Sequence, residues 1–371
     1  MGARPTVALI DMGALKHNYG EIRKRLSPKT GIMAVVKANA YGHGDVEVSR
    51  ALEGFGCESF AVAFTEEGIN LRKGGIKSPI LILGGVDKTQ AEEAFSYELT
   101  PVVHDIAMAR LLDGCARKTG RTKPVHVEID SGMGRMGVLT EGVTAFFEEF
   151  KKLEGILLEG VLSHFSEADR EGGEFSDRQL EVFLGALGKI RAMGYNPPYI
   201  HMANSAALLE KEESRFNIVR PGIMLYGAYP APHLRNKIEL LPVMQVKTRI
   251  LQLKRVPAGF PVSYGRTFVT GRESTIATIP IGYGDGLPRR LSEKGEVIVR
   301  GRRAPMAGVI CMDHTMIDCT NVEGVDVGDE VVIMGRQGSI DVLAEEIAEK
   351  TGTIPYEILC NISSRVRRVY A

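Results

Sequence analysis

Eight short apolar segments recur through the first 225 residues, and amphipathic segments separate most of them. Apolar segments of this length that alternate with helices are typical of buried parallel strands in β–α–β units. The predicted strands cover residues 32–36, 60–64, 79–83, 100–103, 125–129, 160–163, 199–202 and 218–219. Eight such units match the size of a (β/α)8 barrel, or TIM barrel. An open, doubly wound sheet is the alternative, but evenly repeated units without a long linker favour closure.

Helical spacing of apolar residues marks the segments between the predicted strands. The predicted helices cover residues 66–73, 91–97, 107–118, 144–153, 176–193 and 205–211.

After residue 236 the sequence changes to β-branched, often alternating segments with Gly and Pro between them. This pattern predicts a mostly β domain, interrupted by one helix at residues 342–351. The stretch PAPH at residues 230–233 is the strongest boundary signal. We therefore predict an α/β barrel domain over residues 1–236 and a C-terminal β domain over residues 237–371. Whether residues 1–10 join the C-terminal domain is left open.

Charge and cysteine content exclude several classes of protein. Lys and Arg together number 46, as do Asp and Glu, whereas a nucleic-acid binder is normally basic. No apolar run reaches the roughly 18 residues that span a bilayer, and the N-terminus lacks the features of a secretory leader. The five cysteines form no CxxC pair and no HExxH motif occurs, so neither disulfides nor a metal site is expected. We predict a cytoplasmic enzyme without a metal.

Gly2 followed by Thr6 matches the loose myristoylation pattern. The run TVALID that begins at Thr6 favours an ordinary strand instead.

Polar residues at the ends of the predicted strands define the candidate site, because barrel enzymes place their catalytic groups at the carboxyl ends of strands. These residues are Lys37, Arg135, His164, His201 and Arg220. Together they offer an amine able to form a Schiff base and several groups able to bind an anion.

Lys37 has two interpretations from its position alone. A lysine just past a strand is usually solvated, but Lys37 follows a fully apolar strand directly. Burial at such a place would lower the pKa of the amine and suit it to act as an imine former or a base. Position alone leaves both interpretations open.

A formal GxGxxG pattern, GMGRMG, occupies residues 132–137. It follows a strand, so a dinucleotide-binding loop is considered. The pattern lies in the fifth unit rather than the first, and the bulky Arg135 stands in its middle. We therefore disfavour dinucleotide binding.

Nine motifs occur in order along the chain: VVKANAYGHG, DSGMGRMG, SHFSEAD, HMANSAA, RPGIMLYG, VSYGRTF, IGYGDG, CMDHTMID and YEILCNISSRVRR. Together they resemble the alanine racemase family, pyridoxal 5′-phosphate (PLP) enzymes with an α/β barrel and a C-terminal β domain. The resemblance covers essentially the whole chain.

The resemblance implies two catalytic bases. Lys37 would form the Schiff base with the cofactor aldehyde and act as one base. Tyr264, supplied by the β domain of the partner subunit, would be the other. A free tyrosine has a pKa near ~10, so neighbouring His164 and Arg220 would stabilise its phenolate. Without the resemblance, Tyr264 would be interpreted as an aromatic residue in a turn.

The resemblance also implies the remaining contacts. Arg220 would donate to the pyridine nitrogen, because an arginine cannot accept its proton, and the neutral ring would suit racemisation. Arg135 and the backbone of Met312 of the partner subunit would bind the substrate carboxylate, and Tyr283 would narrow the entrance. His201 is expected to support this group. The cofactor phosphate and its surroundings would be contacted by Tyr41, Asn204, Ser205, Gly222, Ile223 and Tyr356, the Asn204–Ser205 pair at a helix start.

Glu128 departs from the family pattern, in which many members have a lysine, often carbamylated, at this position. We hypothesise that Glu128 pairs with Arg135 and holds its guanidinium in place. The alternative is an ordinary surface glutamate on the fifth strand.

The implied activity is interconversion of L- and D-alanine by a homodimer, supplying D-alanine for peptidoglycan. A racemase for serine or a broader set of amino acids is the nearer alternative. A related decarboxylase is disfavoured because it would place a carboxylate at the Arg220 position. A non-catalytic PLP-binding barrel is disfavoured because such proteins lack the β domain. The sequence leaves open a biosynthetic or a catabolic role.

Overall fold

The computed structural model describes residues 4–371, so Gly2 of the myristoylation pattern lies outside the described residues. The strands of the N-terminal part are β1 (Val7–Ile10), β2 (Gly31–Val35), β3 (Ser59–Val62), β4 (Ile80–Ile82), β5 (Thr100–Val103), β6 (Lys123–Asp130), β7 (Val138–Leu139), β8 (Ile156–Leu162), β9 (Tyr199–His201) and β10 (Ile218–Val219).

The helical segments of this part are α1 (Met12–Arg23), α2 (Lys37–Tyr41), α3 (Asp45–Gly54), α4 (Thr65–Lys73), α5 (Lys88–Ser96), α6 (Ile106–Lys118), α7 (Val143–Phe150), α8 (Glu174–Ala192) and α9 (Ser205–Glu210). The short segment α2 winds left-handed, since residues 38–41 all have positive φ.

Eight strands form a nearly closed parallel barrel in the order β10–β2–β3–β4–β5–β6–β8–β9. The gap between β9 and β10 is bridged where the Arg220 N–H donates to the Ala203 carbonyl at 2.9 Å. The predicted barrel is confirmed. Its sixth predicted strand, 160–163, begins four residues earlier in the structure, at Ile156.

The C-terminal strands are β11 (Met244–Arg249), β12 (Gln252–Val256), β13 (Pro261–Val262), β14 (Phe268–Val269), β15 (Ser274–Ile279), β16 (Glu296–Val299), β17 (Arg302–Pro305), β18 (Thr315–Asp318), β19 (Glu330–Gln337), β20 (Ile340–Val342) and β21 (Arg367–Tyr370). The main sheet has the order β17–β16–β19–β11–β1–β21, with β20 on β19. Strand β1 thus belongs to the C-terminal sheet, pairing antiparallel with β11 and parallel with β21.

Two helices, α10 (Ala344–Thr351) and α11 (Pro355–Cys360), interrupt the C-terminal strands. The expectation of one helix is therefore wrong. Pro355 occupies the first turn of α11, where its missing N–H leaves no helical bond unmade. The α11 residues Tyr356 and Cys360 line the cavity described below.

In residues 4–371 we find no helix that combines the length and the apolar character needed to cross a bilayer.

Candidate active site

A cavity of about 670 Å³ opens at the carboxyl ends of the barrel strands. Segments that follow seven of the eight barrel strands reach it, and α11 covers it from the C-terminal part. The residues singled out by the sequence that line it are Lys37, Tyr41, Glu128, Arg135, His164, Asn204, Ser205, Arg220, Gly222, Ile223 and Tyr356.

Lys37 is the first residue of the left-handed turn α2, and its side chain lines this cavity. Its neighbour Ala38 donates its N–H to Glu67 Oε1 at 2.7 Å, and Glu67 Oε2 accepts from the Ala63 N–H at 2.7 Å. Burial lowers the pKa of the Lys37 amine, and the nearby Arg135 cation lowers it further. Lys37 therefore carries a larger neutral fraction than a solvated lysine, as a nucleophilic amine requires.

Arg220 lies at the base of the cavity and is only 4% exposed. Its Nη1 donates to the His201 Nδ1 at 2.6 Å, and its Nη2 donates to the Ser163 carbonyl at 2.7 Å. Burial lowers the pKa of Arg220 to about 10, so the guanidinium remains charged at neutral pH. Among residues 4–371, no atom accepts a hydrogen bond from its Nε–H.

His164 is a neutral imidazole beside Arg220. Its Nδ1 accepts from Nη2 of Arg220 at 3.3 Å, which leaves the imidazole proton on Nε2. Burial lowers its pKa well below the usual value, and the cations of Arg220 and Arg135 add to this effect.

Small and hydroxyl-bearing residues form another wall of the cavity. Ser205 Oγ accepts the Gly222 N–H at 2.9 Å. A Cβ on Gly222 would lie 2.5 Å from the Tyr41 hydroxyl, so this close approach requires glycine. Burial raises the pKa of both Tyr41 and Tyr356, and both hydroxyls therefore stay protonated. This wall offers donors without bulk, as a phosphate group requires.

Asn204 also lines this wall. Its side-chain oxygen accepts the Ala207 N–H at 3.0 Å and caps α9.

The predicted ion pair between Glu128 and Arg135 is absent from the part of the chain that the structure describes. Glu128 is 5% exposed, and its Oε2 lies 3.2 Å from the His104 Nδ1. Arg135 lies in an exposed loop beyond the end of β6. Strand β6 turns Glu128 towards His104 on the neighbouring strand end, so the surface alternative is also wrong.

The glycine-rich loop at residues 132–137 is occupied by its own chain. The Asp130 carboxylate accepts the N–H groups of Gly132 at 2.9 Å and Gly134 at 3.1 Å. These donors are therefore unavailable to a dinucleotide phosphate.

Three predicted site residues lie in the C-terminal part, outside the cavity of their own chain. Tyr264 is 69% exposed, Met312 52% and Tyr283 42%. The Tyr283 N–H donates to the Cys311 carbonyl at 3.0 Å, which holds Tyr283 close to Met312. His201 also lies outside the cavity lining and contacts Arg220 instead.

Two contributors were missed by the sequence analysis. His104 follows β5 directly, so the strand-end rule applied to that strand would have found it. Glu67 lies within α4, and no sequence signal links it to the turn after Lys37.

Comparison with known proteins decides the family. The family model for the alanine racemase N-terminal domain matches residues 10–230, and that for the C-terminal domain matches residues 243–370. The chain belongs to the alanine racemase family. The alanine racemase of Geobacter sulfurreducens is 46% identical, with 100% of this chain and 98% of the relative covered.

Solved structures of alanine racemases have the same fold. The alanine racemase of Clostridium difficile 630 is 39% identical with a TM-score of 0.95, and 100% of this chain and 97% of that chain are covered. The alanine racemase of Bacillus anthracis, solved with bound L-Ala-P, is 35% identical with a TM-score of 0.95 over 100% of this chain and 96% of that chain.

Proposed function

We propose that the chain interconverts L-alanine and D-alanine with PLP as its cofactor. The observation that carries the proposal is the meeting of two groups in one cavity: Lys37, whose pKa is lowered, and the buried cation Arg220. Family membership supports the choice of reaction, since the relatives are named alanine racemases.

The residues of the cavity fit this cofactor. The Nε–H of Arg220 lacks an acceptor among the described residues, and a pyridine nitrogen would supply one. The Gly222 wall leaves room for a phosphate beside the hydroxyls of Tyr41, Ser205 and Tyr356. Ile223 is the first residue of a short helical turn, Ile223–Tyr226. Its N–H therefore has no carbonyl acceptor in a preceding turn and is available to a phosphate.

PLP, when bound, would withdraw electrons from an attached amino acid and weaken its α-C–H bond. The neutral fraction of Lys37 would bind the cofactor aldehyde and later accept a proton on one face of the substrate. Arg220 would donate a hydrogen bond and retain its own proton. Because Arg220 keeps its proton, the ring nitrogen of the cofactor would stay neutral, which would limit side reactions and favour return of the proton.

The second base is proposed to be Tyr264 of the partner subunit. Support comes from its 69% exposure on the C-terminal part, away from the cavity of its own chain. A homodimer in which each C-terminal part covers the other barrel would place Tyr264 beside His164 and Arg220. The partner's Met312 and the partner's Tyr283 would then bind the substrate carboxylate and narrow the entrance, opposite Arg135.

Alternatives of other classes receive less support. A decarboxylase of the same plan is expected to place a carboxylate where this chain has Arg220, and a PLP-binding barrel protein would lack the C-terminal sheet. Serine or a broader set of amino acids remains the nearer alternative substrate. We propose that the protein is cytoplasmic, which the five free cysteines in the described residues support. We also propose that it supplies D-alanine for peptidoglycan.

The test is a D-amino-acid assay on purified protein supplied with PLP, comparing L-alanine, L-serine, L-lysine and L-arginine. We expect D-alanine to form fastest. Lys37→Ala should lose both the visible absorption of the bound cofactor and racemisation. Lys29→Ala, at the opposite mouth of the barrel, is the matched control and should keep both. If the protein turns over none of the four amino acids, the proposal is overturned.

A further inference from the structure

Arg220 stands at one end of a chain of hydrogen bonds that crosses the barrel interior. Arg220 contacts His201, and on the other side of that ring the His201 Nε2 lies 2.8 Å from the His126 Nδ1. The His126 Nε2 lies 3.3 Å from Oε2 of Glu159. Arg220, His201 and His126 are at most 4% exposed, so little water competes for these contacts.

The two ends of this chain determine the direction of each hydrogen bond. A guanidinium only donates, and an ionised carboxylate only accepts. Burial lowers the pKa of His201 and of His126, so both imidazoles are neutral and each has one donor nitrogen. Both protons therefore reside on Nε2. Arg220, His201, His126 and Glu159 form one directional series, which we name the relay.

A bulge in the barrel brings Glu159 into the relay. Strand β8 pairs Leu158 with Val125 and Gly160 with His126, so Glu159 is an extra residue without a partner on β6. Bulges redirect a side chain in this way. A Cβ on Gly160 would lie 2.4 Å from the His126 Nδ1. The glycine that follows Glu159 therefore leaves the space that the imidazole occupies.

Glu159 ends the relay at a second cavity, of about 330 Å³, at the amino ends of the strands. Glu58, Lys29 and Tyr199 also line this lower cavity. The Glu159 side chain is 31% exposed, so its carboxylate is accessible to solvent from the lower cavity.

We propose that His126 and Glu159 are positioning residues that act on Arg220 from the opposite mouth of the barrel. Arg220 is a buried cation whose hydrogen-bond partners are carbonyls and imidazoles, all of them neutral. Hydrogen bonds in series polarise one another, so the Glu159 carboxylate strengthens His201 as the acceptor of Nη1. The stronger bond holds the guanidinium with its Nε–H facing the cavity. This role of His126 and Glu159 rests on the proposed function.

The test compares Glu159→Leu, Glu159→Gln and Glu58→Leu in the PLP-loaded protein. Leu removes the acceptor, Gln retains an acceptor oxygen, and Glu58→Leu removes a carboxylate from the same cavity outside the relay. Alanine racemisation is followed in both directions, and ¹⁵N NMR follows the ring nitrogens of His201 and His126. The NMR measurement does not depend on racemisation, so it separates failure of this proposal from failure of the proposed function.

We expect Glu159→Leu to lower kcat about ten- to a hundredfold in both directions, with KM changed less than about twofold. It should also shift the ¹⁵N resonances of both imidazoles. Glu159→Gln should restore most of kcat, and Glu58→Leu should resemble the unmodified protein. If Glu159→Leu fails to fold, the Gln variant still has to preserve the Nε2-protonated form of both rings. Unchanged imidazole resonances in Glu159→Leu, or an equal loss of kcat in Glu58→Leu, would overturn the proposal.

Discussion

The Oε2 of Glu128 lies 3.2 Å from the Nδ1 of His104, and both side chains are buried in the barrel wall. Neither ring nitrogen of His104 makes a hydrogen bond within the described residues. The contact is therefore a close approach of two buried polar groups that lacks hydrogen-bond geometry. Glu128 also favours the charged form of Arg220, which makes it part of the charge balance beneath the cavity.

This contact predicts strong coupling between Glu128 and His104. In a double-mutant cycle of Glu128→Ala and His104→Ala, we expect the free energies of unfolding to be non-additive by about 1 kcal/mol or more. The matched cycle of Glu128→Ala and Arg135→Ala should give a coupling within about 0.5 kcal/mol. Urea denaturation measures both. A larger coupling to Arg135 than to His104 would restore the pairing inferred from the sequence.

The strand-end rule accounts for what sequence analysis found and for part of what it missed. Arg220 follows β10 directly and Lys37 lies two residues beyond β2, so their approach to one cavity follows from closure of the barrel. The Glu128–Arg135 pairing failed because seven residues of sequence do not show that Glu128 faces inward while Arg135 lies in an exposed loop. The role of Glu159 depends on a bulge, and a one-residue insertion in a pairing register leaves no signal in the sequence.

Gly222→Ala is predicted to weaken cofactor binding. The new Cβ would lie 2.5 Å from the Tyr41 hydroxyl, so the tyrosine must move out of the phosphate wall. We expect the Kd for PLP, measured by equilibrium dialysis, to rise about tenfold or more. Tyr41→Phe removes the closest atom, so Gly222→Ala should raise the Kd less when it is added to Tyr41→Phe than when it is added to the unmodified protein. An equal rise in the two backgrounds would show that the clash is not the cause.

Stability is predicted to fall as the pH is lowered below about 6.5, the ordinary pKa of histidine. Burial lowers the pKa of His43, His126, His164 and His201 in the folded protein. The unfolded chain therefore binds more protons below pH ~6.5, and each of these histidines then favours unfolding. Melting temperatures at about pH 8 and pH 5.5 test this prediction.

His201→Gln is the control for this pH dependence because it removes one of these four imidazoles. Its melting temperature should fall less steeply with pH than that of the unmodified protein. An equal or steeper fall would contradict the assignment of His201 as a buried neutral group.

Arg220→Leu is predicted to lower the melting temperature and to prevent normal cofactor binding. The substitution removes donors to His201 and to the carbonyls of Ser163 and Met202, and each buried acceptor left unpaired costs about 1–3 kcal/mol. Arg220→Lys keeps the charge without the planar donor set. Its melting temperature should therefore lie between those of Arg220→Leu and the unmodified protein. Differential scanning calorimetry measures the order, and a Leu variant as stable as the unmodified protein would contradict it.

Subunit complementation between Lys37→Ala and Tyr264→Phe, each inactive alone, tests most directly whether the site is built from two subunits. When the two variants are mixed and allowed to exchange subunits, half the dimers become mixed, and each mixed dimer has one site with both bases intact. We expect recovery of about one quarter of the unmodified racemase activity on alanine. Mass spectrometry confirms that subunits have exchanged. If activity does not recover after that, a site built from two subunits is contradicted.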